Sequence, residues 1–328
     1  MSLPLPAALR EACEAFARGL PAGEIAMHAA AMSESYRAGR TSHDAVKTRA
    51  DVAAYLIARL PATYAAVGAA LRATSELVPS LAPTSLIDLC AGPGTASLAA
   101  LACWPQLSAL TLVDASPLLL EAARRLLDAS ELEGADAARL VHSSLETALD
   151  RLPKAELVLM SYALVELDER EIAALAPRIL ALADGVAMFV EPGTPEGFRR
   201  LLTVRAALLA EGAALVAPCP HALPCPMSAT QWCHFVERLP RTRTHRLAKD
   251  AELAFEDEAY AYLAFARRPA EIVPEARIVS RMRVTKVAAS CQLCMRDGTL
   301  ADHAAPRRDR AAYARLRRLD WGDALIGE

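Results

Sequence analysis

Five cysteines in the C-terminal third of this chain could hold a metal between them. Cys219, Cys225 and Cys233 lie close together, and Cys291 and Cys294 follow far downstream. The first three sit in Pro-Cys-Pro-His-Ala-Leu-Pro-Cys-Pro-Met and then Gln-Trp-Cys-His-Phe. Proline beside cysteine marks a loop, and a loop can gather thiolates. Four thiolates suit zinc or an iron–sulfur cluster. Zinc knuckles usually place two to four residues between paired cysteines, whereas the gaps here are five and seven. Cysteine followed by proline also recurs in cluster loops. The spacing favours iron–sulfur, with zinc as the alternative. His221, His234 and His245 are read as surface or hydrogen-bonding groups, and Cys13, Cys90 and Cys103 as packed thiols.

A second constellation is Asp88-Leu-Cys-Ala-Gly-Pro-Gly-Thr95, at the end of an apolar run. Gly92 and Gly94 allow a sharp turn and close approach of a ligand. A helix start follows and favours an anionic group. A bare G-x-G is shared with nicotinamide-binding domains. Asp88 lies before the glycines, where it would repel a pyrophosphate and could pair with an amine-bearing ligand. Asp114 ends the next apolar run, where a carboxylate can accept from both ribose hydroxyls.

These residues need elements to carry them. Apolar residues at helical spacing predict helices through residues 5–80, with stretches at Val46–Leu60 and Tyr64–Leu77 and Pro61 near a helix start. From 85 onward, short apolar runs alternate with helical ones. Strands are expected at 85–89, 110–114, 139–142, 156–160 and 185–190, and helices at 96–102, 117–129, 145–149, 169–182 and 195–211. This alternation predicts an α/β chain with a parallel, doubly wound, Rossmann-like sheet. Leu253–Ala266 and residues 276–288 read as edge strands or a small β-rich appendage, and the last twenty residues as a charged helix or tail. The expected organisation is a helical region at 1–80, a Rossmann-like domain at 81–215 and a cysteine-containing region with remaining strands and a basic tail at 216–328.

The chain has 328 residues, 54% of them hydrophobic and 23% charged, with a net charge of -3. That composition supports a sizeable core. Basic residues nevertheless recur densely from Arg238 to Lys286 and again from Arg307 to Arg318. Such asymmetry suits either a polyanionic partner or a salt-bridged surface. No segment is long and apolar enough to span a membrane. The first twenty residues carry Glu11 and Glu14 and lack a signal-peptide core. A cytoplasmic protein is therefore expected, with neither a membrane nor DNA as partner. In a reducing compartment its eight cysteines are not a disulfide framework.

The loop at 88–95 and Leu112-Val-Asp114 resemble the first two motifs of the class I S-adenosylmethionine-dependent methyltransferases. The resemblance implies an S-adenosylmethionine site. Gly92 and Gly94 would line the methionine end, Asp114 the ribose, and His142-Ser-Ser144-Leu145 the adenine; the implied cofactor-binding residues also include Asp88, Cys90, Ala91, Thr95 and Ser144. Cys90 stands where that motif usually has glycine. After the fourth strand the chain reads Met160-Ser-Tyr-Ala-Leu164, without the prolines of amino-methylating enzymes or the cysteine of C5-cytosine enzymes. Glu166 and Glu191 are possible bases, although Glu191 is read first as capping the turn Glu-Pro-Gly193. No catalytic residue is named.

Ala-Pro-Cys-Pro-His, Trp-Cys-His-Phe and Phe-Glu-Asp-Glu, with Arg59-Leu-Pro-Ala-Thr-Tyr64 and Glu191-Pro-Gly-Thr-Pro-Glu-Gly-Phe198, resemble a methyltransferase-like family tied to the small ribosomal subunit. The resemblance runs from about Val46 to Gly298. It implies a four-iron cluster on Cys219, Cys225, Cys233 and a fourth cysteine. Leu293-Cys294-Met-Arg-Asp-Gly298 matches that fourth position better than Cys291, and the pair leaves the choice open. It also implies the small ribosomal subunit and its RNA as partners. Two functions follow: an RNA methyltransferase, or a non-catalytic assembly factor that keeps the fold. A small-molecule methyltransferase finds no support in the basic C-terminal third.

Overall fold

The computed structural model describes residues 4–37, 46–227 and 230–326. Among the described residues it opens with α1 (Ala7–Ala17), α2 (Ala22–Arg37), α3 (Arg49–Ala58) and α4 (Leu60–Ser75). A capping box starts α3, with Thr48 accepting from the Asp51 amide and the Asp51 carboxylate accepting from the Thr48 amide. The expected helix from Val46 is therefore shorter at both ends. It stops before Leu60, where α4 begins with Pro61 in its first turn. The two axes meet at 48°.

The alternating part follows as β1 (Ser85–Leu89), α5 (Thr95–Cys103), β2 (Ala109–Asp114), α6 (Pro117–Ala129), β3 (Arg139–His142), α7 (Leu145–Leu149), β4 (Ala155–Ser161), α8 (Glu169–Ala181), β5 (Ala183–Pro192) and α9 (Pro195–Ala210). Short strands follow at β6 (Ala214–Ala217) and β7 (Phe235–Pro240), then α10 (Arg243–Ala248) and the long β8 (Phe255–Ala266). The main sheet has the order β3-β2-β1-β4-β5-β8-β6, with β7 also on β8. Its first five strands are parallel, and β8 runs antiparallel to β5. This is the Rossmann-like sheet expected.

Alternating side chains give the sheet two cores. Leu86, Leu112, Leu159 and Met188 face the N-terminal helices. Ile87, Leu89, Val158 and Phe189 pack against α8 and α9 on the other face. Strands covered on both faces carry continuous apolar runs, which is why β1, β4 and β5 are legible as parallel strands.

The stretch 253–266 is not an edge strand. The second half of β8 lies between β5 and β6, and its first half pairs with β7. A separate five-stranded sheet takes β9 (Ala276–Ile278), β10 (Arg283–Val284), β11 (Ala288–Met295), β12 (Leu300–Pro306) and β13 (Ala324–Leu325), with the helix α11 (Arg310–Leu316) packed on it. The main sheet thus draws strands from both sides of residue 216. No single helix among the described residues is long and apolar enough to cross a membrane.

Candidate functional site

The loop after β1 turns on three left-handed residues, Cys90, Gly92 and Gly94, with φ of 54°, 53° and 77°. At Gly94 the need for glycine is also steric, because a Cβ there would lie 2.9 Å from Leu112 Cδ2. At Gly92 a Cβ would find only the Tyr55 hydroxyl, 3.9 Å away. Cys90 adopts the left-handed conformation despite its side chain, at a cost of about 1 kcal/mol or more. The Asp114 carboxylate accepts from the Gly92 amide (2.7 Å) and the Ser116 amide (2.7 Å). It fixes both the loop and the start of α6.

Asp88 is fully buried. One of its oxygens accepts from the Ser97 amide (3.1 Å) and hydroxyl (2.7 Å) on α5. The other oxygen has no partner, and neither does the buried hydroxyl of Thr95. Burial raises the Asp88 pKa to about 7. Ala91 donates its amide to Val113 and accepts from the Gly94 amide. Ser144 is exposed and caps α7 by accepting from the Thr147 amide, and His142 Nε2 donates to the Ala115 carbonyl at 3.0 Å.

Cys219, Cys225, Cys233 and Cys294 line one cavity between α9, β8 and the second sheet. Burial pushes the Cys233 thiol well up, and the other three thiols push it further. Cys294 is raised to about 12 by burial and by Cys219 and Cys225. The Cys294 sulfur lies 3.4 Å from His221 Nε2. Cys291 instead packs in the core of the second sheet with Ile278, Ala289 and Tyr313. Among the described residues, no three His, Cys, Asp or Glu side chains converge as around a single metal ion. The Trp232 indole donates to the Gly193 carbonyl (2.8 Å), tying the cysteine loop to the end of β5.

Residues 49–326 match the family described as "Mitochondrial small ribosomal subunit Rsm22". The chain belongs to the Rsm22 family. A curated relative, the human "Ribosome assembly protein METTL17, mitochondrial", is 27% identical over 286 residues, covering 83% of this chain and 61% of that protein. The chain thus spans about three-fifths of that relative's length. Among solved structures, TrmN from Thermus thermophilus has a TM-score of 0.41 at 16% identity, covering 65% of this chain and 53% of that one. Magnesium protoporphyrin IX methyltransferase from Synechocystis PCC 6803 has 0.39 at 14%, covering 63% and 82%. Likenesses this slight leave the fold assignment resting on strand order.

In this Rsm22-family chain, the polar residues after β4 are engaged in structure. Tyr162 has φ of 56° and donates its hydroxyl to Glu258 on β8 at 3.0 Å. Arg59, from the junction of α3 and α4, lies 5.9 Å from the Tyr162 ring centre and 3.8 Å from Glu258. Glu191 accepts from the Leu164 amide (3.0 Å) and so caps the turn at 164–166 rather than its own Glu-Pro-Gly turn. Sequence reasoning missed Arg59 and Glu258 as partners, because they lie far apart in the chain and no local pattern links them.

Glu191 is fully buried, and burial raises its pKa to about 7. Between its unfolded value near 4.5 and about 7, the folded protein holds a proton that the unfolded chain has released. Stability should therefore fall as pH rises through that window. Glu191→Gln keeps an acceptor for Leu164 and should flatten the slope, as read from urea unfolding at pH 5 and 7.5. An unchanged slope would show that Glu191 is ionised in the fold.

Proposed function

We propose that this chain binds S-adenosylmethionine at the 88–95 loop and acts at the small ribosomal subunit, docking on its RNA through the second sheet. The observation that carries the ribosomal half is the family match over residues 49–326. The donor half rests on the loop. Asp114 has both oxygens on backbone amides, and a carboxylate offers about four acceptor sites. The unpartnered Asp88 oxygen and Thr95 hydroxyl are polar atoms that the loop itself does not satisfy. S-adenosylmethionine, when bound, supplies an electrophilic methyl group.

A binding role without turnover is favoured by one observation. Tyr162 and Glu191, polar groups at the ends of β4 and β5, are tied to Glu258 and to the 164–166 turn. A mark lost from ribosomal RNA in a deletion strain would restore the enzyme reading.

The four thiols are read as holding an iron–sulfur cluster, with zinc as the alternative. The support for a cluster is that all four cysteines line one cavity, with the wide loop spacing of five and seven residues between the first three.

The RNA surface is the end of the second sheet where Arg283 and Lys286 meet Arg307 and Arg308. The Arg307 amide donates to the Val287 carbonyl at 2.7 Å, which sets these segments side by side. All four cationic residues are exposed, as are Val284 and Val287. Purified protein should co-sediment with small subunits and release steeply as salt rises. Each phosphate contact contributes a slope of about 0.9 in log–log terms. Reversal of Arg283, Lys286, Arg307 and Arg308 to glutamate should abolish co-sedimentation without changing the melting temperature. Salt-insensitive binding would refute the phosphate contact.

A further inference from the structure

Two arginines are buried in the wall of the cysteine cavity. Arg205, on α9, is 7% exposed, and Arg277, on β9, is 1% exposed. Each would normally require an anion. A buried unpaired charge costs several kcal/mol, and buried arginines are almost always paired. Here the hydrogen-bond partners are backbone carbonyls. Arg205 donates to His221 (3.2 Å) and Leu223 (2.6 Å), and Arg277 to Pro218 (2.9 Å) and Gly322 (2.7 Å). One nitrogen of each guanidinium, Arg205 Nε and Arg277 Nη2, is buried without any partner. The cavity wall contains both arginines and no aspartate or glutamate among the described residues.

The two cations are placed by elements that also place the thiols. Arg277 is the direct cross-strand partner of Cys294 between β9 and β11. Side chains of such a pair share one face of the sheet. Arg205 holds the carbonyls of His221 and Leu223, within the loop that joins Cys219 to Cys225.

We infer that Arg205 and Arg277 are the built-in counter-ions of a dianionic four-thiolate centre in this cavity. Four thiolates around a core of charge about +2, whether zinc or an oxidised four-iron cluster, leave a net charge of about -2. Two guanidinium groups neutralise it. The arginines are positioning and charge-balancing residues, not ligands. The inference rests on the metal reading above and adds what makes such a centre tolerable in an apolar cavity.

Full-length protein purified anaerobically is the test. Arg205→Gln and Arg277→Gln should each lose bound metal to a chelator about tenfold or more readily than the parent. Arg277→Lys, which keeps the charge, should recover most of that loss. If the metal is iron, Arg277→Gln should also shift the midpoint potential negative, because a nearby positive charge favours the added electron. A second measurement separates charge from packing. With Cys219, Cys225, Cys233 and Cys294 all replaced by serine, Arg277→Gln should raise the melting temperature, since it removes a cation that has lost its anion.

Equal metal retention in parent and glutamine variants would overturn the arginine inference alone. So would a glutamine variant equally destabilised with and without the four cysteines. Parent protein that holds neither iron nor zinc would overturn the metal reading itself, and the counter-ion role with it.

Discussion

Cys294→Ala is expected to strip the protein of bound metal, whereas Cys291→Ala is expected to leave the metal in place. The two cysteines are three residues apart on β11, yet they serve different surroundings. Cys294 lines the cavity with Cys219, Cys225 and Cys233. Cys291 lies in the core of the second sheet, where a thiol acts as a small apolar group. Losing that sulfur should cost about 1 kcal/mol. Losing a ligand should cost far more, because binding at such a site is folding energy, about 10 kcal/mol or more for structural zinc. The cysteine loop and the second sheet should then become sensitive to protease. Elemental analysis of the two variants decides the matter, and equal metal content would remove Cys294 from the ligand set.

The second large effect is expected at Asp114. Asp114→Ala should weaken binding of S-adenosylmethionine by about 100-fold or more. Hydrogen bonds to a charged acceptor contribute about 1.5–3 kcal/mol each, and two ribose hydroxyls are at stake. The same change also frees the amides of Gly92 and Ser116, so the loop would lose its brace as well as its acceptor. Asp114→Asn keeps a carbonyl oxygen for Gly92 and should fall between the two. Titration calorimetry with S-adenosylmethionine or its demethylated product reads the difference. Parent-like binding by Asp114→Ala would dismiss the ribose contact, and rescue of a deletion strain by that variant would assign the protein's role to scaffolding.

Much of the donor half was legible in the chain itself. Strands β1 and β3 have the bounds that their apolar runs predict; β1 is buried on both faces and has little choice of composition, whereas β3 is a short edge strand with no fully buried residue. The cavity cysteines were legible as a group because proline marks their loop. Other features were hidden for physical reasons. The first half of β8 mixes Glu256, Asp257 and Glu258 with apolar residues, since it pairs with β7 while its sides remain partly solvated. Glu256 is held down to about 2, against burial, by His245 and Lys249. That contact joins α10 to β8 and leaves no periodic trace. Asp88 was legible as an acid of the loop, but its bond to Ser97 is a tertiary fact. Arg205 and Arg277 look like any other members of a basic sequence, and only their burial distinguishes them.

The reversed strand β8 has a consequence for how this protein can be divided. Its last seven residues seal the edge of β5, and they are encoded after the cysteine loop. A fragment ending near residue 215 would expose Val186, Met188, Phe189 and their backbone as an open edge, a template for aggregation. A fragment beginning there would leave β8 without the β5 edge on which it pairs. The loop at 88–95 and the thiol cavity are therefore inseparable as cloning units. They must be expressed, swapped or lost together, and a gene fusion or truncation between them yields neither half.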